Sequence, residues 1–199
     1  MSDVSALVDA CARAIDEANA SDPITLFFDG RSHPQAQLEG RRAQAWVEKL
    51  RPEAPAALRL AARAHHLRRW EVPRDSYPRT RAGYRRWREG LYVFHGERLA
   101  ELMETCGFSS DEILRAKTIM KRGGIKSDPD IQSYEDGVSL AFLEVRLSDF
   151  APTVSDSQLE RALRRTWAKM SAEGQEAAGS IPLDPEQVAA LESILGFEN

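Results

Sequence analysis

The spacing of apolar residues predicts an almost entirely helical chain. Apolar positions recur three and four residues apart along most of the sequence, which is the period of an amphipathic helix. The one strand-like stretch, ITLFFDG, is too short and too isolated to predict a sheet. We expect an all-α fold, a single helical bundle of eight or nine helices forming one domain over residues 1–199. The predicted helices cover about residues 3–20, 32–50, 56–70, 81–105, 109–123, 128–147, 155–170 and 184 onwards.

Turn and cap residues support several of these boundaries. Ser109 with Glu112 and Ser155 with Gln158 have the spacing of a capping box at a helix start. Proline in the first turn follows an aspartate at 128–129 and again at 184–185. The stretch EVPRDSYPRTR contains two prolines but no glycine, so it predicts an ordered loop and not a flexible linker.

Ionisable residues interrupt three of the apolar stripes. His65 and His66 fall on the apolar face of the third predicted helix, and His95 falls on that of the fourth. Asp136 lies on the apolar face of a later helix. Burying such groups without partners costs several kcal/mol each, and a shared metal ion or a hydrogen-bonded cluster would offset that cost. Taken alone, each of these residues is more often an ordinary hydrogen-bonded core residue, and three helices with such a residue on the apolar face favour a shared site.

Arginine is concentrated in one segment of an acidic protein. The net charge is −4, yet residues 58–98 contain eleven Arg, no Lys and four acidic residues, a net charge of +7. Arginine grips phosphate and carboxylate groups through two parallel hydrogen bonds. The segment therefore favours an anionic ligand, with a salt-bridged surface as the alternative.

The remaining composition limits the class of protein. No apolar run approaches the roughly 20 residues that a membrane-spanning helix needs. The first 20 residues are acidic and amphipathic, unlike a signal peptide, so we expect a cytoplasmic protein. Cys11 and Cys106 are too few and too far apart in sequence for a disulfide framework or a thiolate zinc site.

Two resemblances add to this interpretation. The order of His33, His65-His66, HGERLAELMETCGF and DPDIQSYEDGVSLAFLE is remotely similar to the HD-domain superfamily of all-helical, metal-dependent phosphohydrolases and related oxygenases. A closer resemblance is to a domain-of-unknown-function family, over about residues 5–195. It rests on HLRRWEVPRDSYPRTRAGYRRWR, which is similar to that family's HxRRWxxPRxxYPxxRxGYxxWR pattern.

The HD resemblance implies a ligand set for a divalent Fe, Mn or Zn ion. His66 stands where that superfamily has an aspartate, and Glu144 is better placed than Glu135 to compensate for the missing carboxylate. The implied metal ligands are His33, His65, His66, His95 and Asp136.

The expected function is hydrolysis of a phosphorylated small molecule such as a nucleotide. Glu144, Arg68 and Arg69 are the candidate catalytic residues. The candidate substrate-binding residues are Arg74 and Arg81 for the phosphate, and Trp70, Tyr77 and Tyr84 for a base or sugar. Two alternatives stay open: an iron-dependent oxygenase on the same scaffold, and a non-enzymatic helical module for an acidic partner or, with weaker support, RNA. We expect no membrane partner, and the sequence does not predict an oligomeric state.

Overall fold

Helices dominate the computed structural model, which describes residues 3–125 and 127–196. The all-α class is confirmed, but the expected eight or nine helices are too few, since this part of the chain forms ten. None of the helices in the described residues is long and apolar enough to cross a membrane. The helices are α1 (Asp3–Asn19), α2 (Gln35–Leu50), α3 (Ala56–Arg63), α4 (Arg81–Cys106), α5 (Ser110–Met120), α6 (Pro129–Val145), α7 (Leu147–Phe150), α8 (Asp156–Trp167), α9 (Ala172–Ala178) and α10 (Pro185–Leu195).

The predicted helix starts are confirmed where a cap residue marked them. Ser109 and Ser155 each form a complete capping box before α5 and α8. The Asp128 side chain accepts a backbone N–H bond at the start of α6, and Asp184 does the same for α10. Side-chain caps act within one turn of chain, so the sequence alone is enough to locate them.

The strand-like stretch does form a small sheet, contrary to expectation. Strands β1 (Thr25–Phe28) and β2 (Arg31–Pro34) pair antiparallel, and Leu26 lies opposite His33. Asp29 and Gly30 connect them with positive φ angles of 49° and 76°, as a two-residue hairpin turn requires. Consequently α2 begins at Gln35, and His33 belongs to a strand and not to a helix start.

The third helix ends earlier than predicted. α3 stops at Arg63, and residues 64–68 turn before a short 3-10 segment at Arg69–Glu71. Arg68 has a left-handed φ of 52°, and its backbone N–H donates to Oδ1 of Asn19 at 2.9 Å. The turn contains no glycine or proline that would indicate it in the sequence. A hydrogen bond to Asn19 of α1 holds it instead. His65 and His66 therefore lie on a turn between elements.

Close helix packing fixes the position of this turn. α2 runs along α6 and also packs against α3, which in turn contacts α5. A Cβ on Gly40 of α2 would lie 2.1 Å from the carbonyl oxygen of Arg63, and one on Gly137 of α6 would lie 2.6 Å from Val47. These two glycines let α3 and α6 approach α2 closely. The largest fully buried side chains are Ile15, Leu58, Leu60, Leu67, Leu99, Met103, Ile119, Met120, Ile131, Tyr134, Leu140 and Leu143.

The proline-rich loop is ordered, as predicted. Nε1 of Trp87 in α4 donates to the carbonyl oxygen of Val72 at 2.9 Å. The Arg74 guanidinium donates to the carbonyl oxygens of Tyr77 and Pro78, each at 2.9 Å. The Trp87 bond joins the loop to α4, and the Arg74 bonds lie within the loop. Arg69 lies over the Trp87 ring, 5.0 Å from its centroid.

Candidate active site

A cavity of about 690 Å³ opens among α2, the 64–69 turn, α4, α6, α7 and α8. Its volume is in the range of small-molecule binding sites. Three imidazoles, two carboxylates and several cationic side chains line it, together with aromatic and aliphatic groups. The polar lining residues that matter below are Glu39, His65, His66, Arg69, Arg88, His95, Arg122, Glu135, Arg165 and Lys169.

Glu39, His65 and His66 form a compact group of possible metal ligands. One ligand atom from each lies within 4.8 Å of the others. Glu39 comes from α2 and the histidines from the turn after α3, so the close approach at Gly40 brings the two parts together. Two imidazoles and a carboxylate are a donor set that binds Zn and non-haem iron.

Hydrogen bonds fix the tautomers of all three cavity histidines. His65 Nδ1 lies 2.9 Å from the Ala62 carbonyl oxygen, and His95 Nδ1 lies 2.7 Å from that of Leu67. Because a carbonyl oxygen only accepts, each Nδ1 carries the proton and each Nε2 carries a lone pair. His66 Nε2 accepts from the Arg69 guanidinium at 3.0 Å, so its Nδ1 donates to Glu39. A backbone partner on the second ring nitrogen, as His65 has, is typical of metal-bound histidine.

The cavity environment keeps these histidines neutral. Burial lowers the pKa of His65 and of His66 well below the ordinary value of 6.5, and neighbouring Arg69 adds to the effect at His66. Burial lowers the pKa of His95 to about 4. Neutral imidazole is the form that coordinates a cation.

Glu39 is a buried carboxylate with several donors around it. Burial raises its pKa, while the positive groups at Arg146 and Arg69 act in the opposite direction. Gln35 donates to one oxygen at 3.1 Å, Arg146 lies 3.1 Å from the same oxygen, and His66 donates to the other. These contacts fix the orientation of the carboxylate towards the histidines.

His95 leaves one buried acceptor without a partner. Its ring centroid lies 6.2 Å from that of His66, and the residue is 2% exposed. Its Nε2 has no hydrogen-bond partner in the described residues. An unsatisfied buried acceptor is costly, so a donor or cation supplied by a ligand would stabilise this arrangement.

The charged lining is predominantly positive. Glu135 is the second carboxylate, and it pairs with Arg122 at 2.9 Å and Lys169 at 3.1 Å. With neutral histidines, five cationic side chains face two carboxylates, a net charge of +3 along the described lining. A positive, partly enclosed cavity attracts anionic ligands.

A comparison with protein families identifies the chain. The family described as Domain of unknown function (DUF4202) matches residues 9–191. The chain belongs to this family. The match includes every cavity residue of this DUF4202 protein, from Glu39 to Lys169. Comparison with curated proteins and comparison with solved structures gave no match.

The DUF4202 fold brings together only part of the predicted ligand set. His65, His66 and His95 share the cavity, but His33 and Asp136 lie elsewhere. His33 Nε2 lies 3.2 Å from the Phe28 carbonyl oxygen, because the residue sits on the β hairpin. Asp136 accepts bonds from the backbone N–H of Ser171 at 2.8 Å and its hydroxyl at 2.7 Å, and so holds the turn before α9. Glu39, a residue that the prediction missed, supplies the carboxylate.

Of the three predicted catalytic residues, one lines the cavity and two do not. Arg69 lines the cavity, whereas Arg68 pairs with Glu71 outside the lining. Glu144 forms an ion pair with Arg42 and accepts a hydrogen bond from Trp46 Nε1 at 2.8 Å, so two residues of α2 bind its carboxylate. The acidic side chain of α6 that does face the cavity is Glu135, although the helical spacing favoured Glu144.

Among the predicted substrate-binding residues, Tyr84 alone lines the cavity. Arg74 uses its guanidinium within the loop, and the half-buried Trp70 and Tyr77 belong to the same loop region. Arg81 is exposed in the first turn of α4. Only Arg69 and Arg88 among the eleven arginines of the arginine-rich segment line the cavity.

Sequence signals existed for some of the missed residues. Glu39 lies on the α2 face that carries Ala36, Ala43 and Val47, so the test that selected the histidines would also have selected Glu39. Arg122 and Arg165 lie outside the arginine-rich segment. No local pattern distinguishes them, because their position depends on how α5, α6 and α8 pack.

Proposed function

We propose that this protein is a metal-dependent hydrolase of a phosphate ester on a small molecule. The observation that carries the proposal is the Glu39–His65–His66 group, whose ligand atoms lie within 4.8 Å of one another on the wall of a positive cavity. The donor set suits Zn, Fe or Mn, and the cavity charge suits a phosphate. The remote resemblance to HD-domain phosphohydrolases points to the same reaction class, although this ligand set differs from the one it implies.

The residues present fit a divalent cation. Glu39 supplies a carboxylate oxygen, and His65 has an Nε2 lone pair that no described residue uses. Binding of one cation by both Glu39 and His66 would replace the hydrogen bond that now joins the imidazole to the carboxylate. A bound divalent metal ion supplies Lewis acidity and lowers the pKa of a coordinated water.

The protein's own groups would orient the ester and stabilise its charge. Hydrolysis forms a bond from a water oxygen to phosphorus and breaks the ester P–O bond, and the departing oxygen receives a proton from the water. Negative charge on the phosphoryl oxygens is stabilised by fixed cationic groups such as Arg69. His95, whose Nε2 has no partner in the described part of the chain, can accept a hydrogen bond from the bound substrate.

Metal analysis combined with phosphate release tests the proposal. We expect the wild type, purified without chelator, to contain roughly one transition-metal ion per chain and to release phosphate from an ester panel. Glu39→Gln should lose the metal and at least ~100-fold of the activity. Glu48→Gln is the matched control, because Glu48 pairs with Arg59 and does not line the cavity. A wild type without metal, or a Glu39→Gln variant that keeps it, would contradict the proposal.

The same donor set favours one alternative. Two histidines and one carboxylate also hold iron in non-haem oxygenases. Iron as the bound metal, substrate-dependent oxygen uptake and no phosphate release would identify that activity in place of hydrolysis.

A further inference from the structure

Three guanidinium groups of the cavity have no carboxylate partner. Arg69 and Arg88 form no ion pair within the described residues, although the charges of Glu39 and Glu135 act on them from further away. The side chain of Arg165, which also lines the cavity, forms neither an ion pair nor a hydrogen bond there. Five of the other nine arginines of the arginine-rich segment form ion pairs, as Arg59 does with Glu48 and Arg63 with Asp16. Arg69 and Arg88 are the arginines of this segment that line the cavity, and neither is neutralised by an ion pair within the described residues.

Two of these arginines are held in place by aromatic groups. Arg69 is half-buried over Trp87, and Arg88 donates from Nε to the Tyr92 hydroxyl at 2.6 Å. Burial lowers the pKa of Arg69, and the nearby charge of Glu39 offsets only part of that effect. Keeping a half-buried cation unpaired is unfavourable, and a bound anion would relieve that cost.

The wall contributed by α6 and α7 has a different character. Val138 and Phe142 of α6 and Phe150 of α7 line the cavity there. The two phenylalanine rings meet edge to face, with centroids 5.6 Å apart. Such a pair of rings binds a flat apolar group.

We infer that the cavity contains an anion subsite, formed by Arg69, Arg88 and Arg165, for the phosphate of a ligand whose planar ring packs on Phe142 and Phe150. The ligand class is an aromatic or heteroaromatic phosphate monoester such as a nucleoside monophosphate. A dianionic phosphate presents several acceptor oxygens to guanidinium forks, and the net charge of the lining favours it.

This inference names a substrate class for the proposed function. It rests on that proposal only for the reaction that the substrate undergoes. The anion subsite uses residues other than the candidate metal ligands, so it predicts binding to metal-free protein. If the ligand does not bind, the proposal of a metal site still stands. If no metal is present, the proposal of an anion subsite still stands.

Calorimetric titration of chelator-treated wild type with AMP, adenosine and inorganic phosphate tests the inference. AMP should bind at least ~10-fold more tightly than adenosine, because charge-assisted bonds to phosphate are strong. It should also bind at least ~10-fold more tightly than phosphate, because the ring adds apolar contact. Binding should weaken as salt is raised.

Variants locate the subsite. Arg165→Gln should weaken AMP binding about 10-fold, and Phe150→Ala should weaken AMP binding but not phosphate binding. Arg161→Gln is the matched control, since it removes one charge from α8 outside the cavity lining. Equal affinity for AMP and adenosine, no binding of AMP, or equal effects of Arg165→Gln and Arg161→Gln would overturn the inference.

Discussion

Two histidines of the cavity, His65 and His95, are neutral imidazoles whose tautomers are fixed by hydrogen bonds to backbone carbonyl oxygens. The Ala62 and Leu67 carbonyl oxygens each take one imidazole N–H, so the nitrogen on the other side of each ring keeps a lone pair. Burial then disfavours protonation. A histidine prepared in this way binds cations or hydrogen-bond donors without first losing a proton.

The depressed pKa of His95 predicts a pH dependence of stability. The unfolded chain binds a proton at about pH 6.5, whereas folded His95 resists it down to about pH 4. In that interval the unfolded state holds more protons, so the free energy of unfolding falls as pH decreases through it. One such group accounts for roughly 2 kcal/mol between about pH 7 and about pH 5.

Urea denaturation of wild type and His95→Asn over this interval measures the effect. The asparagine amide can still donate to Leu67, but it does not titrate. We expect the variant to lose roughly 2 kcal/mol less unfolding free energy than the wild type on acidification. Parallel curves for the two proteins would show that His95 is protonated normally in the fold.

At the scale of residues, the sequence indicated which ionisable residues lie on apolar faces, but not which of them lie close together in the fold. His65, His66 and His95 share the cavity, as their place on apolar stripes suggested. Asp136 has the same signature, yet its oxygens are satisfied by Ser171 of a distant turn. A polar residue on a buried face needs a partner, and its spacing does not say whether that partner is a ligand or the backbone.

At the scale of elements, the contact between α2 and the end of α3 assembles the candidate metal site. Gly40 follows Glu39 directly and lies against the last residue of α3, where a Cβ would be 2.1 Å from the Arg63 carbonyl oxygen. The turn carrying His65 and His66 begins at the next residue. The missing side chain of Gly40 thus sets how closely the carboxylate and the imidazoles approach.

Gly40→Ala should therefore disrupt both stability and metal binding. The clash involves backbone atoms that cannot move without shifting α3, so we expect a loss of at least about 2 kcal/mol of unfolding free energy. Gly123→Ala is the matched control, because its added Cβ would meet nothing within 4 Å. Chemical denaturation and metal content measure the two effects. A Gly40→Ala variant as stable and as metal-loaded as the control would refute this role.

Helices marked by local signals were predicted well, and elements fixed by distant contacts were not. The capping boxes at Ser109 and Ser155 lie at the predicted starts. The hairpin was not predicted, although Asp29-Gly30 is a strong turn signal, because the strand-like stretch before it is short and isolated. The early end of α3 depends on Asn19 of α1, which no window around residue 64 contains.

At the scale of the whole molecule, an acidic protein concentrates positive charge in one cavity. The excess of +7 over residues 58–98 is partly offset by carboxylates outside the segment, such as Glu48 and Asp16. Arg69 and Arg88 of this segment join Arg122, Arg165 and Lys169 from three further parts of the chain in the cavity lining. Sequence composition indicated an anionic ligand, but tertiary packing determined which arginines remain for it.

A metal ion that binds the folded state should raise the melting temperature of the whole chain. At about 100 times its dissociation constant, a ligand adds roughly 2.7 kcal/mol of stability. For a chain of this length, that corresponds to a shift of roughly 5–10 °C. Thermal unfolding of chelator-treated protein with added Zn²⁺ or Mn²⁺ should show this shift in the wild type and in Glu48→Gln. The same shift in Glu39→Gln would place the metal elsewhere.

Anomalous X-ray diffraction from metal-loaded crystals tests the central claim most directly. We predict one strong peak with a Glu39 oxygen and nitrogens of His65 and His66 each about 2.0–2.3 Å away. A peak at His33 or Asp136, or none at this group under saturating metal, would contradict the account.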